Sequence, residues 1–248
     1  MLFQEYGAKN QQTIILLHGG GLSWWNYRAE AEMLQSNYHI ILPILDGHAG
    51  SDRPFTSIED NASELIAFID DHLGGKVLLI GGLSLGAQVL LEMLTQRKDI
   101  CRYALVESAS VIPSKLTNAL IRPAVESSYG FIKSRVFAKL QFKSLHMDNH
   151  LFEDYFRDTC QIAKADMIAF LKANTSYALK PGITETTARV HLFAGGKENR
   201  EIQRSVDVIR ETIPGCVTKV LPEFYHGEFS INDPEQYVHE LKKIMGNE

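Results

Sequence analysis

The feature that most constrains this chain is an alternation. Short, near-continuous apolar runs recur at 13–17, 39–44, 76–81, 103–106, 190–194 and 217–221, rich in β-branched residues. Runs of this length and composition suit strands buried on both faces of a sheet. Helical periods lie between them. Ile58, Ala62, Leu65 and Ile69 recur every three or four residues, as do Ile202, Val206, Ile209 and Ile213, and then Tyr237, Leu241 and Ile244. Ser57 stands three residues before Asp60 at capping-box spacing, and Asp233-Pro234 offers an N-cap followed by proline at the first helical position. Strand alternating with helix predicts an α/β chain with a mostly parallel central sheet and helices on both faces.

The alternation stops between 112 and 182. This stretch reads as several helices punctuated by Pro113, Pro123, Gly130 and Pro181. Residues 1–111 and 183–248 are therefore expected to form the core, and 112–182 a helical cap inserted into it. A chain of 248 residues with 45% hydrophobic content can bury a full single core. No internal repeat or low-complexity tract interrupts it, which argues against a solenoid or a disordered arm.

Charge and cysteines narrow the partners. The net charge of -5 is spread without a long block of one sign, so nothing points to nucleic acid. Cys101, Cys160 and Cys216 lie far apart and in apolar surroundings, which predicts reduced thiols. The start, Met1-Leu2-Phe3-Gln4-Glu5, lacks a basic segment followed by an apolar one, and no predominantly apolar run has the roughly 18 residues of a membrane span. The expectation is a cytoplasmic protein without stable membrane insertion.

The chemistry centres on Gly82-Leu83-Ser84-Leu85-Gly86, between the apolar run that begins at Lys76 and the helical stretch from Ala87 to Met93. Strand, sharp turn, helix is the setting in which a strained serine presents its hydroxyl, with small residues two positions either side letting the strand and helix approach. The serine would stand at a helix N-terminus, where backbone N–H groups and the helix dipole favour developing negative charge. The N–H of Leu85 is the expected first oxyanion donor. After the first confident strand comes His18-Gly19-Gly20-Gly21, a glycine loop whose backbone can approach a bound carbonyl.

With these two motifs on the page, the chain resembles the α/β-hydrolase family over nearly its whole length. The segment Asp46-Gly47-His48-Ala49-Gly50-Ser51-Asp52 is similar to the family's glycine-and-histidine loop. The resemblance implies a carboxylesterase- or lipase-like serine hydrolase with a cap inserted after the sixth family strand. It implies Gly20 as the second oxyanion donor, with Gly21 nearby. Ile44 departs from the pattern, standing where many members carry aspartate, and the strands before Thr13 are abbreviated.

A serine hydroxyl needs a histidine to take its proton and a carboxylate to fix that histidine's tautomer, and the fold orders them serine, acid, histidine. His226 lies beyond the last predicted strand in Glu223-Phe224-Tyr225-His226-Gly227, where the family carries its base. Glu198 is the expected acid, with Glu107 as its rival. Glu198 follows the strand at 190–194 in Gly195-Gly196-Lys197-Glu198-Asn199, in the place of the family's aspartate; Glu107 ends the strand at 103–106, from which some members take their acid. His18 and His48 lack partners at metal-ligand spacing, and structural roles suit them. Trp24, with Trp25, either lines the acyl pocket or packs under the following helix.

Within 110–150, Lys115, Arg122, Lys133, Arg135, Lys139 and Lys143 face only Glu126 and Asp148, an excess of +4 interleaved with apolar residues. An amphipathic cap helix with a solvated basic face accounts for this; attraction of an anionic acyl substrate or a lipid surface is the sharper reading. The expected function is cleavage of a carboxylic ester or thioester of a small acyl substrate, with Ser84 as nucleophile. The same residues also serve carbon–carbon bond hydrolysis of diketone-like substrates, or a ligand sensor with little turnover. None of these needs a cofactor or a metal.

Overall fold

The computed structural model describes residues 1–246. Seven strands form one sheet in the order β1-β3-β2-β4-β5-β6-β7: β1 (Phe3–Tyr6), β2 (Thr13–Leu17), β3 (His39–Pro43), β4 (Val77–Leu83), β5 (Cys101–Glu107), β6 (Arg189–Gly195) and β7 (Val217–Leu221). β1 pairs antiparallel with β3 and every other pairing is parallel. Six of the seven strands coincide with the apolar runs. β1 has no such run because its residues are only half-buried or exposed at the edge of the sheet.

Two apolar clusters clothe the sheet, as the two-residue period of a strand requires. Ile15, Leu17 and Ile41 join α2 (Ile58–His72), α3 (Leu85–Gln96) and α8 (Arg200–Thr212) on one face. Ile14, Leu16, Ile40 and Leu42 join α1 (Arg28–Leu34) and α10 (Pro234–Met245) on the other. The caps act as their sequences imply: Ser57 Oγ accepts from the Asp60 N–H, and Asp233 Oδ1 from the Gln236 N–H.

Between β5 and β6 run α4 (Lys115–Ser128), α5 (Arg135–Ser144), α6 (Phe152–Thr159) and α7 (Lys164–Ser176). Pro123, expected to punctuate, instead lies inside α4. Its ring removes one helical hydrogen bond, and both it and Ala119, whose carbonyl is freed, are exposed to water. α4 packs on α7 through Ile121, Val125 and Ile168, whereas Phe142, Phe152 and Tyr155 enter the cluster of α1 and α10. A short helix, α9 (Glu228–Asn232), precedes α10. Among the described residues, no helix is long and apolar enough to cross a membrane.

Candidate active site

β4 ends at Leu83 and α3 begins at Leu85, so Ser84 alone makes the turn, with φ 53° and ψ -109°. A non-glycine residue is held there only by its surroundings. The Ser84 N–H donates to the Glu107 carbonyl (2.9 Å), and its own carbonyl accepts from Gln88 (3.0 Å) to start the helix. The flanking glycines are required by close approach. A Cβ on Gly82 would lie 2.5 Å from the Gly86 carbonyl oxygen, and one on Gly86 would lie 2.2 Å from that of Leu17.

Three loops at the carboxyl ends of parallel strands meet at this serine. His226, between β7 and α9, places Nε2 3.0 Å from Ser84 Oγ and Nδ1 2.7 Å from Glu198 Oε2. Glu198, between β6 and α8, is fully enclosed, while the His226 side chain is 45% exposed. Its Oε1 accepts from Ser108 Oγ and from the Gly195 N–H, each at 2.7 Å. A carboxylate with both oxygens so occupied holds an Nδ1 proton on the imidazole and leaves the Nε2 lone pair facing the serine. That is the arrangement a proton relay from Ser84 needs.

The rival carboxylate turns elsewhere. Glu107 is buried, and its Oε1 accepts from the Ser230 N–H (3.2 Å) in α9. Burial raises its pKa to about 7, partly offset by the Ser230 hydrogen bonds. Glu107 therefore sits beneath the loop that carries His226 without reaching the imidazole.

Gly20 and Leu85 lie side by side, with the Cβ position of Gly20 3.6 Å from Leu85 Cβ. The first N–H groups of an α-helix have no acceptor within it, so that of Leu85 is free for a ligand. Gly19 commits its N–H to Asn26 Oδ1 (3.2 Å). His18 ties this loop to the next: its Nε2 accepts from the Leu45 N–H (3.1 Å), and Nδ1 donates to the Gly19 carbonyl (2.9 Å). Burial, reinforced by His48 beside it, lowers the His18 pKa to about 3 and keeps the ring neutral.

One chamber opens at the serine and a second adjoins it. The smaller, about 70 Å³, is lined by Gly19, Gly20, Leu22, Leu83, Ser84, Leu145, Met147, His226 and Ile231. The larger, about 180 Å³, adjoins it across Gly20 and Leu145, and Gly21, Tyr129, Phe137 and Phe170 contribute to its wall. Trp24 lines neither; the Arg28 guanidinium lies over its ring at 4.7 Å, the packing role rather than the pocket role. Leu22 takes the place expected of it.

Ser108, Leu145, Met147 and Ile231 belong to the site and have no motif. Ser108 adopts φ 56°, and only the pairing of Glu107 with Phe193 across β5 and β6 brings its hydroxyl to Glu198. One further contact joins the helices above the sheet to the histidine loop. Asn232 donates from Nδ2 to the His146 carbonyl (2.7 Å) and accepts at Oδ1 from the Asp148 N–H (3.0 Å). The His146 ring stacks on Tyr225, beside His226, with centroids 3.9 Å apart.

Comparison with known proteins places this geometry in context. Solved structures superpose over almost the full chain at low identity, which shows the fold alone. An esterase from Thermogutta terrifontis gives a TM-score of 0.79 at 18% identity, covering 98% of this chain and 91% of its own. The enol-lactonase from Burkholderia xenovorans LB400 gives 0.83 at 12%, covering 99% and 96%. In sequence, 100 residues are 27% identical to the uncharacterized hydrolase YugF of Bacillus subtilis (strain 168), a match to 40% of this chain and 37% of that protein. The family model described as "Alpha/beta hydrolase family" matches residues 14–239, from β2 into α10 and through every loop that meets at Ser84. The chain belongs to the alpha/beta hydrolase family.

Proposed function

We propose that this hydrolase cleaves a carboxylic ester or thioester of a small, uncharged acyl substrate through an acyl-enzyme on Ser84. The observation that carries this reading is the continuous line from Ser84 Oγ through His226 to a fully enclosed Glu198. In the proposed cycle Ser84 Oγ attacks the carbonyl carbon as its proton passes to His226 Nε2. The N–H groups of Gly20 and Leu85 hold the oxyanion, and Glu198 stabilises the imidazolium. His226 then returns the proton to the leaving alcohol or thiol, and water, activated by the same histidine, releases the acid. The two chambers carry no Lys, Arg, Asp or Glu in their walls, which supports an uncharged substrate.

The test is covalent labelling with a fluorophosphonate, followed by turnover of aryl esters of graded acyl length. Wild-type protein is expected to label at Ser84 and to prefer short acyl chains. Ser84→Ala is expected to lose labelling and about 10⁴-fold or more of kcat. Absence of labelling in the wild type would sink the assignment. Labelling and tight ligand binding with negligible turnover of every ester would favour the sensor.

A further inference from the structure

Half of the large apolar side chains that are exposed among the described residues fall within residues 116–145: Leu116, Leu120, Phe131, Val136, Leu140 and Leu145. On α5 they are sorted by stripe. Val136 and Leu140, one helical turn apart, point outward and are 73% and 66% exposed. Ala138 and Phe142 are buried on the opposite side. Phe137, Gln141 and Leu145 form the flank that lines the larger chamber. Arg135, Lys139 and Lys143 form the other flank, along an outer groove whose wall also includes Asp148, Glu153 and Glu228.

The cations are not directed at a substrate, because no lysine or arginine lines either chamber. Nor are they consumed in pairing. Arg135 is bonded to Glu153, whose carboxylate also feels the charge of Lys139, and the Lys139 ammonium lies 5.7 Å from the Phe152 ring centre; among the described residues neither Lys139 nor Lys143 makes an ion pair. Phe131 continues the outward apolar stripe, and its ring lies 6.0 Å from that of Phe137, joining the outer surface to the chamber wall. An apolar ridge flanked by two exposed lysines that make no ion pair complements a surface that is apolar within and anionic at its boundary. A second copy of the same face would bring like charges together.

We propose that the outer face of α5, centred on Val136 and Leu140 and flanked by Lys139 and Lys143, seats this protein on an anionic lipid surface. The ridge then lies between the bilayer headgroups and the chamber flank, so the larger chamber opens beside the lipid. This seating is independent of the chemistry proposed for Ser84.

The experiment is co-flotation of the full chain with vesicles of phosphatidylcholine alone or mixed with phosphatidylglycerol, at low and raised salt. Binding is expected to the mixed vesicles and to fall with salt. Lys139→Gln with Lys143→Gln is expected to weaken it about 25-fold, about fivefold for each lysine. Val136→Ser with Leu140→Ser is expected to weaken it as well; these positions are solvent-exposed, and unchanged circular dichroism and melting would establish that both pairs fold. Ser84→Ala is expected to bind as the wild type does, so a failure of the catalytic reading leaves this result untouched. The proposal is overturned by absence of binding to mixed vesicles, or by binding that neither pair of substitutions alters. It is equally overturned by a dimer in light scattering that the Val136 and Leu140 substitutions dissociate.

Discussion

Two serines in this molecule sit at positive φ, Ser84 at 53° and Ser108 at 56°, and both face the same imidazole–carboxylate pair. Ser84 was legible because its strain is written into neighbouring glycines. Ser108 was not, since nothing local marks it and only strand register carries it to Glu198. A hydrogen bond to a carboxylate is worth about 1.5–3 kcal/mol, so Ser108→Ala is expected to lower kcat about tenfold on an aryl ester, with KM near the wild-type value. A loss below twofold would mean that the Gly195 N–H alone orients the carboxylate. The sequence favoured Glu198 but kept Glu107 as a rival, because each stands at the carboxyl end of one of two strands adjacent in the sheet. Their roles divide through side-chain direction: Glu198 is drawn to His226 by its loop, and Glu107 is turned down onto Ser230.

At the scale of elements, the elbow is a crossing of three backbones. Gly86 lies against the Leu17 carbonyl of β2, and backbone on both sides cannot yield as a side chain would. Gly86→Ala is expected to cost about 3 kcal/mol or more, read as a large drop in melting temperature or loss of soluble protein. Gly130 provides the contrast: a Cβ there meets nothing within 4 Å. Gly130→Ala is expected to leave the melting temperature unchanged or slightly raised, and a comparable drop in both variants would refute the close-approach argument. Buried strands were legible as apolar runs, while β1 was not, being half-exposed at an edge. Pro123 misled because a proline's cost depends on whether water reaches the carbonyl it frees, which tertiary packing decides.

For the whole molecule, the alternation of strands and helices was enough to read the sheet, but not how the helices between β5 and β6 sit on it. Their periodicity identifies an apolar stripe without naming its partner, so Phe142 and Phe170, both on helices between β5 and β6, enter clusters on opposite faces of the sheet. That layering also buries titratable groups, with consequences for stability. Glu107 stays protonated to about pH 7 in the folded chain, against an ordinary value of 4.5. Its contribution is complete below pH 4.5 and lost as pH rises through 7. Glu107→Gln cannot titrate, so its stability relative to the wild type is expected to rise across that window, by about 3 kcal/mol at the limit. Denaturant unfolding on either side of the window measures this, and a constant difference would refute it. His18 and His48 act from the other side. Burial lowers them from 6.5 to about 3 and about 4, so their contribution is complete above 6.5 and lost as pH falls towards those values.

Asn232 grips the main chain at His146 and Asp148 with both ends of its amide, six residues beyond His226. With the stacking of His146 on Tyr225, this ties the segment that follows α5 to both ends of the chain around His226. The chamber wall at Leu145 and Met147 and the helix that follows His226 thus share a single brace, so the mouth of the site and its base are fixed by one side chain.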